Sequence, residues 1–184
     1  MSEREEEWWR RPGPTSAYRP SGLCVRAPAD AVAQTLALLR SAGLREAACL
    51  WLGTRSATDE RAIQVEAVVV PKQINERRNF TIPAQANQEV ATFARIHGFK
   101  IAAAIHSHPG TDVEHSEYDD RMTASRRALS LVFPSYGHYD PNAWPTGAGV
   151  HEYIDGYWHL LTDEQARVPL RIESGWNATV VDLR

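Results

Sequence analysis

Three features of the sequence predict an α/β or α+β class, with a central sheet flanked by helices. Short apolar or β-branched runs alternate with longer stretches whose apolar residues recur every three to four positions. The runs are punctuated by Gly and Pro, which end strands and helices for steric reasons. Strand-like and helix-like segments interleave along the chain, the pattern of a sheet covered by helices. The 184 residues are 43% hydrophobic, which suits one globular domain with its own core.

Residues 1–20 are rich in charge and proline and read as a flexible tail, leaving 21–184 as the domain. Trp8 and Trp9 are unusual in a solvated tail. Folding back onto an apolar patch is favoured over a partner-docking anchor, although Trp is enriched at interface hot spots. LCVRAP (23–28) reads as a short strand. Asp30 is placed as the cap of a helix through AVAQTLALLRSAG, with Val32, Leu36 and Leu39 on one face and Gly43 as its stop. AACLWLG (47–53) is a buried strand, and RAIQVEAVVVP (61–71) another. NFTI (79–82) is a third, short one. PAQANQEVATFARIHG (83–98) is a helix with Pro83 in its first turn, Val90, Phe93 and Ile96 on one face, and Gly98 at its end. KIAAAIHSH is a strand running out into a polar loop. SEYDDRMTASRRAL (116–129) reads as a helix. SLVFPSYG, GVHEYIDGYWHLL and VPLRI are further strands, the second folded at a tight Asp-Gly turn. GWNATVVDL adds one more, and the role of 162–184 is left open.

Charge and composition narrow the function. The formal net charge of −3 gives no bulk attraction to nucleic acid or an anionic membrane. No run approaches the ~20 apolar residues of a membrane span, and the N-terminus lacks the apolar core of a secretory signal. Cys24 and Cys49 make neither a disulfide framework nor a CxxC pair. A soluble, cytoplasmic, reduced protein is the expectation.

The chemistry concentrates in HSHPGTDVEHSEYDD (106–120). His106 and His108 are i and i+2 at a strand end, so their imidazoles share a face and can converge on one ion. Asp119, on the first turn of the following helix, can complete the three protein ligands usual for catalytic zinc. Ser116 and Asp119 also read as a capping box, which needs no metal. Glu66 is a rival base that reads as solvent-facing, and Glu114, Glu117 and Asp120 are alternative ligands at less suitable spacing. His115, in the loop before Ser116, is taken as an exposed loop residue in preference to one that touches substrate or the groups behind the ligands, and His151 and His159 as ordinary sheet residues. Cys49 reads as a core thiol. The loop FPSYGHYDPNAWPTGAG (133–149) is expected to wall a substrate groove.

H-x-H, seven residues, Ser, two residues, Asp resembles the JAMM signature of the JAB/MPN metalloprotease family, and REAACLWLG supplies the upstream glutamate at Glu46. The resemblance runs over most of residues 22–161. It implies the family's cytidine-deaminase-like fold and one Zn²⁺ held by His106, His108 and Asp119. It further implies Glu46 as general base and acid, and Ser116 as donor to the oxyanion. The implied activity is hydrolysis of the amide bond after the C-terminal glycine of a ubiquitin-like protein, in deconjugation or precursor processing. E1- or E2-like proteins are the implied partners, as for short prokaryotic members. Release of an amino acid from a sulfur-carrier protein is a second option within the family. A metal-free scaffold or binding subunit is a third.

Overall fold

A computed structural model describes residues 12–57, 59, 61–123 and 125–184; Trp8 and Trp9 lie outside the described residues. Eleven strands and four α-helices are arranged as follows: β1 Cys24–Pro28, α1 Ala29–Ser41, β2 Ala48–Arg55, β3 Ala62–Pro71, β4 Ile74–Glu76, β5 Asn79–Thr81, α2 Ala84–His97, β6 Lys100–Ser107, α3 Glu117–Met122, β7 Leu129–Phe133, β8 Gly149–Ile154, β9 Tyr157–Leu160, α4 Asp163–Ala166, β10 Leu170–Glu173 and β11 Thr179–Leu183. The main sheet runs β10-β1-β3-β2-β6-β7-β8-β9, with β11 also paired to β3. It is mixed: β1 is parallel to β3 and β10, and β6 to β7, while β2 is antiparallel to both neighbours.

The continuous apolar run of β2 follows from burial on both faces. Cys49 and Trp51 point into a core shared with Val32, Leu36 and Leu39 of α1. Leu50 and Leu52 point the other way, against Val90 and Ala94 of α2. Alternation along one strand thus feeds two cores. Trp51 satisfies its indole N–H on Thr35 Oγ1 at 2.8 Å, so a polar atom in the α1 face costs nothing unmet. Cys49 is a free core thiol whose burial pushes its pKa up to about 12.

Three local readings change. Asp30 does not cap α1; Pro28 precedes the helix, and the Asp30 carboxylate accepts from Ala178 N instead, tying α1 to the C-terminal segment. The buried face of α2 is Ala86, Val90 and Ala94, while Ile96 is 68% exposed; small residues let the helix approach the sheet closely. The helix predicted over 116–129 stops at Met122: Thr123 still closes a helical bond from its N–H to Asp119 O, but its backbone turns extended and its hydroxyl takes the same carbonyl. In the segment read as tail, the Tyr18 hydroxyl donates to Glu152 of β8. Residues 162–184 supply α4, β10 and β11.

Gly53 sits at a β-bulge where the β2–β3 register shifts. A Cβ there would lie 1.8 Å from Gln64 O, and the obstacle is backbone. Gly53→Ala is therefore expected to destabilise by about 1–3 kcal/mol or more, read as a lowered urea midpoint. An unchanged midpoint would show that the bulge relaxes freely.

Candidate metal centre

The site lies where β6 leaves the sheet. Ala48 pairs with His106 in the antiparallel β2–β6 register. Continued two residues before β2, that register brings Glu46 opposite His108, with which its carboxyl interacts electrostatically. Between the histidines, Ser107 points to the opposite side and is fully buried, with its N–H donating to Ala47 O at 3.1 Å and its hydroxyl accepting from Ala47 N at 3.3 Å. That anchor fixes the strand's rotation, so His106 and His108 share a face.

Their Nε2 atoms are 3.1 Å apart. Asp119 Oδ1 is 3.4 Å from His106 Nε2, and Asp119 Oδ2 is 3.4 Å from His108 Nε2. These three residues form a metal-competent donor group. Each is oriented from behind. His108 Nδ1 lies 3.0 Å from Asp112 O; a carbonyl can only accept, so Nδ1 carries a proton and Nε2 is the nitrogen that faces the site and is left for a metal. The His106 ring rests against Phe80, centroids 5.4 Å apart. Asp119 Oδ2 accepts from Ser116 N and from Ser116 Oγ, each at 2.7 Å, in a closed capping box. Cap and donor group therefore coexist in one carboxylate, with Oδ1 left toward His106.

Glu46 is 5% exposed. Its backbone is gripped by the turn into the β4–β5 hairpin: Glu46 N donates to Glu76 O at 2.8 Å, and Asn75 Nδ2 donates to Glu46 O at 2.7 Å. Gln73 brackets Ala48 through both its amide groups, at 2.8 Å each. Sequence reasoning missed Gln73 and Asn75; their one signal is the i, i+2 placement of two amides on one edge of an extended segment. Tyr136 closes the other side, its N–H on His108 O at 2.8 Å and its hydroxyl on Arg77 O at 3.0 Å. The 133–149 loop and the hairpin thus meet beside the donors.

Burial sets the protonation states. Desolvation pushes Glu46 up to about 7, with Asp119 adding to the rise while His108 and Arg78 oppose it. Desolvation also lowers His106 to about 4. Burial acts to raise Asp119, but His106, His108 and the Ser116 hydrogen bond outweigh it and hold the carboxyl well below its usual range. His108 goes the other way: burial would lower it, but the contact with Asp119 wins and raises it. A neutral imidazole beside an ionised carboxylate is the state that metal binding requires.

Other candidates separate cleanly. Glu66 hydrogen-bonds Thr54 toward the far end of β2. Glu114 and Glu117 are exposed. His115 is buried rather than exposed, and lies behind the site. His151 stacks on His115, centroids 4.0 Å apart, whereas His159 contacts Tyr18 and Tyr157; the two do not share a site. No helix among the described residues is long and apolar enough to cross a membrane.

Comparison with known proteins agrees with this geometry. Residues 28–146 match the family model described as prokaryotic homologs of the JAB domain. A probable metalloprotease, y4jG, from Sinorhizobium fredii (strain NBRC 101917 / NGR234) is 32% identical over 120 residues, which cover 61% of this chain and 72% of that protein. The solution structure of protein DSY2949 from Desulfitobacterium hafniense superposes with a TM-score of 0.59 at 17% identity, over 82% of this chain and 94% of that one, and so shares the fold. With a family model spanning β2 to β7, the donor group and the glutamate facing it, the chain belongs to the prokaryotic JAB-domain family.

Proposed function

We propose that the protein is a zinc-dependent peptidase or isopeptidase that cleaves the amide bond after the C-terminal glycine of a ubiquitin-like protein. The observation that carries the metal-dependent hydrolase reading is the triangle His106–His108–Asp119, with the buried Glu46 carboxyl facing it. Zinc takes N and O ligands at ~2.0–2.1 Å, so two donors on a tetrahedral ion are separated by roughly 3.3–3.4 Å. The two Nε2 atoms are 3.1 Å apart, and each has an Asp119 oxygen at 3.4 Å, Oδ1 from His106 and Oδ2 from His108, spacings close to those that such an ion needs. Three protein ligands leave a position open, the pattern of catalytic rather than structural sites.

When bound, zinc would supply Lewis-acid polarisation and a water acidified to about 7. The chain's own residues do the rest. Glu46 takes the proton of the attacking water and returns it to the leaving amine; a carboxyl near 7 is suited to both transfers. Ser116 is the donor for the developing oxyanion. Its single hydroxyl proton rests on Asp119 Oδ2, so this role requires the hydroxyl to rotate once substrate arrives.

Family membership supports the ubiquitin-like substrate, as does the two-stranded β4–β5 sheet beside Glu46, whose strands pair only with each other among the described residues. An extended Gly-Gly tail can add to such an edge. E1- or E2-like proteins would be the partners in that role. Amino-acid release from a sulfur-carrier protein would use the same donors and base.

Elemental analysis of the purified protein tests the metal. About one zinc per chain is expected, and none in the His106→Ala, His108→Ala double variant. A wild-type protein that holds no zinc after reconstitution would favour a metal-free scaffold.

A further inference from the structure

His115 belongs neither to the donor triangle nor to the proton path, yet its side chain is wholly enclosed. Nδ1 lies 2.9 Å from Asp120 Oδ1, and Nε2 lies 2.8 Å from Ser130 Oγ. Its ring stacks on His151 at 22° and stands 5.8 Å from the His106 ring. One side chain therefore joins α3 through Asp120, β7 through Ser130, β8 through His151 and β6 through His106.

The connection matters because of what α3 is. It has six residues, and an isolated helix of that length has no stability of its own in water. Its position must come from tertiary ties. The Ser116–Asp119 cap cannot supply it, because both groups belong to the same short segment and move together. Tyr118 ties α3 to the hairpin, through Phe80 O at 3.0 Å. The hairpin itself is a two-stranded sheet apart from the main one. His115 ties the segment to the strands that border β6, the strand bearing His106.

We propose that His115 is a positioning residue: braced on Asp120 and Ser130, it holds Asp119 at the distance from His106 and His108 that a bound ion needs. This rests on the metal reading above. The ring also fills the space between His106 and His151, so hydrogen bonding and packing must be separated. His115→Phe keeps the stacking and loses both hydrogen bonds, while Ser130→Ala removes one bond and leaves the ring.

The test uses the full chain loaded with cobalt(II), whose visible absorption reports ligand geometry, together with the rate of metal release to a chelator. His115→Phe is expected to melt cooperatively, with a shifted cobalt band and a faster release, by up to about 10-fold, the lower end of the affinity loss for groups bonded directly to a ligand, since His115 acts through Asp120 and Ser130. Ser130→Ala is expected to move both readouts the same way, by less. A wild-type band and release rate in a folded His115→Phe would overturn the proposal. Should that variant fail to fold, a wild-type band and release rate in Ser130→Ala would overturn it equally. A wild-type protein that binds no cobalt would bring down the metal reading and this inference together, an outcome distinct from tight binding that neither variant alters.

Discussion

Glu46→Gln is expected to cut turnover by about 10²–10⁴-fold with zinc content unchanged. The amide keeps the shape of the carboxylate but cannot take a proton, and the bonds from Asn75 and to Glu76 go to the backbone of residue 46, so they survive. Wild-type rate should rise with pH as the proton-accepting groups of the site ionise. Stability of the metal-free protein should move in the opposite sense. Unfolded, the carboxyl titrates near 4.3; folded, near 7. Between those values the folded state binds a proton that the unfolded state has released. The group therefore destabilises the metal-free protein increasingly as pH rises through the window, by on the order of 3 kcal/mol at its upper end. Glu46→Gln should raise the melting temperature of the metal-free protein at about pH 8 and leave it unchanged at about pH 4. A variant that turns over normally would remove Glu46 from the proton path.

The convergence of the donors was readable because it is local. Two histidines i and i+2 on a strand must share a face, and a Ser-x-x-Asp cap fixes where Asp119 sits on its helix. Glu46 is not local; it reaches His108 through the β2–β6 register, and it was found by resemblance rather than by pattern. Gln73 and Asn75 stayed hidden because residues 72–78 carry no hydrophobic period to place them. His115 was read as exposed because a histidine between Glu114 and Ser116 looks solvated; its burial comes from Ser130 and His151, both distant in sequence. The misread face of α2 has a similar cause. Bulk suggested Ile96, but the helix meets the sheet through Ala86 and Ala94, and close approach favours the smaller side chain. The overextended helix after Ser116 failed at Thr123, where a side-chain bond to Asp119 O competes with the next turn. For His115 and α2, tertiary contact overrode a pattern that was sound in isolation; at Thr123 a local side-chain bond did.

Asp119→Asn is the change expected to affect metal binding most. An outer partner of a ligand is worth about 10–100-fold in affinity, and loss of the charged ligand itself should exceed that upper figure. The amide still offers an oxygen to Ser116 N, so α3 should remain capped. The variant also dissects the metal-free electrostatics. Asp119 holds His108 above its ordinary value, and the two histidines with Ser116 hold Asp119 below its own. A raised histidine contributes stability that is full below about 6.5 and is lost as pH rises through its folded value; a depressed aspartate contributes stability that is present above about 3.9 and is lost as pH falls. One pair thus stabilises the metal-free protein between those limits, and Asp119→Asn should flatten both limbs. Zinc needs His108 neutral, so binding to wild type at about pH 6 should release the proton that Asp119 helps to retain. Calorimetry in buffers of different ionisation enthalpy counts the released protons, and the same titration of Glu46→Gln removes any contribution from the Glu46 carboxyl. A wild-type protein that binds zinc at that pH without releasing a proton would mean that His108 is already neutral and that Asp119 acts as a ligand rather than as its counter-charge.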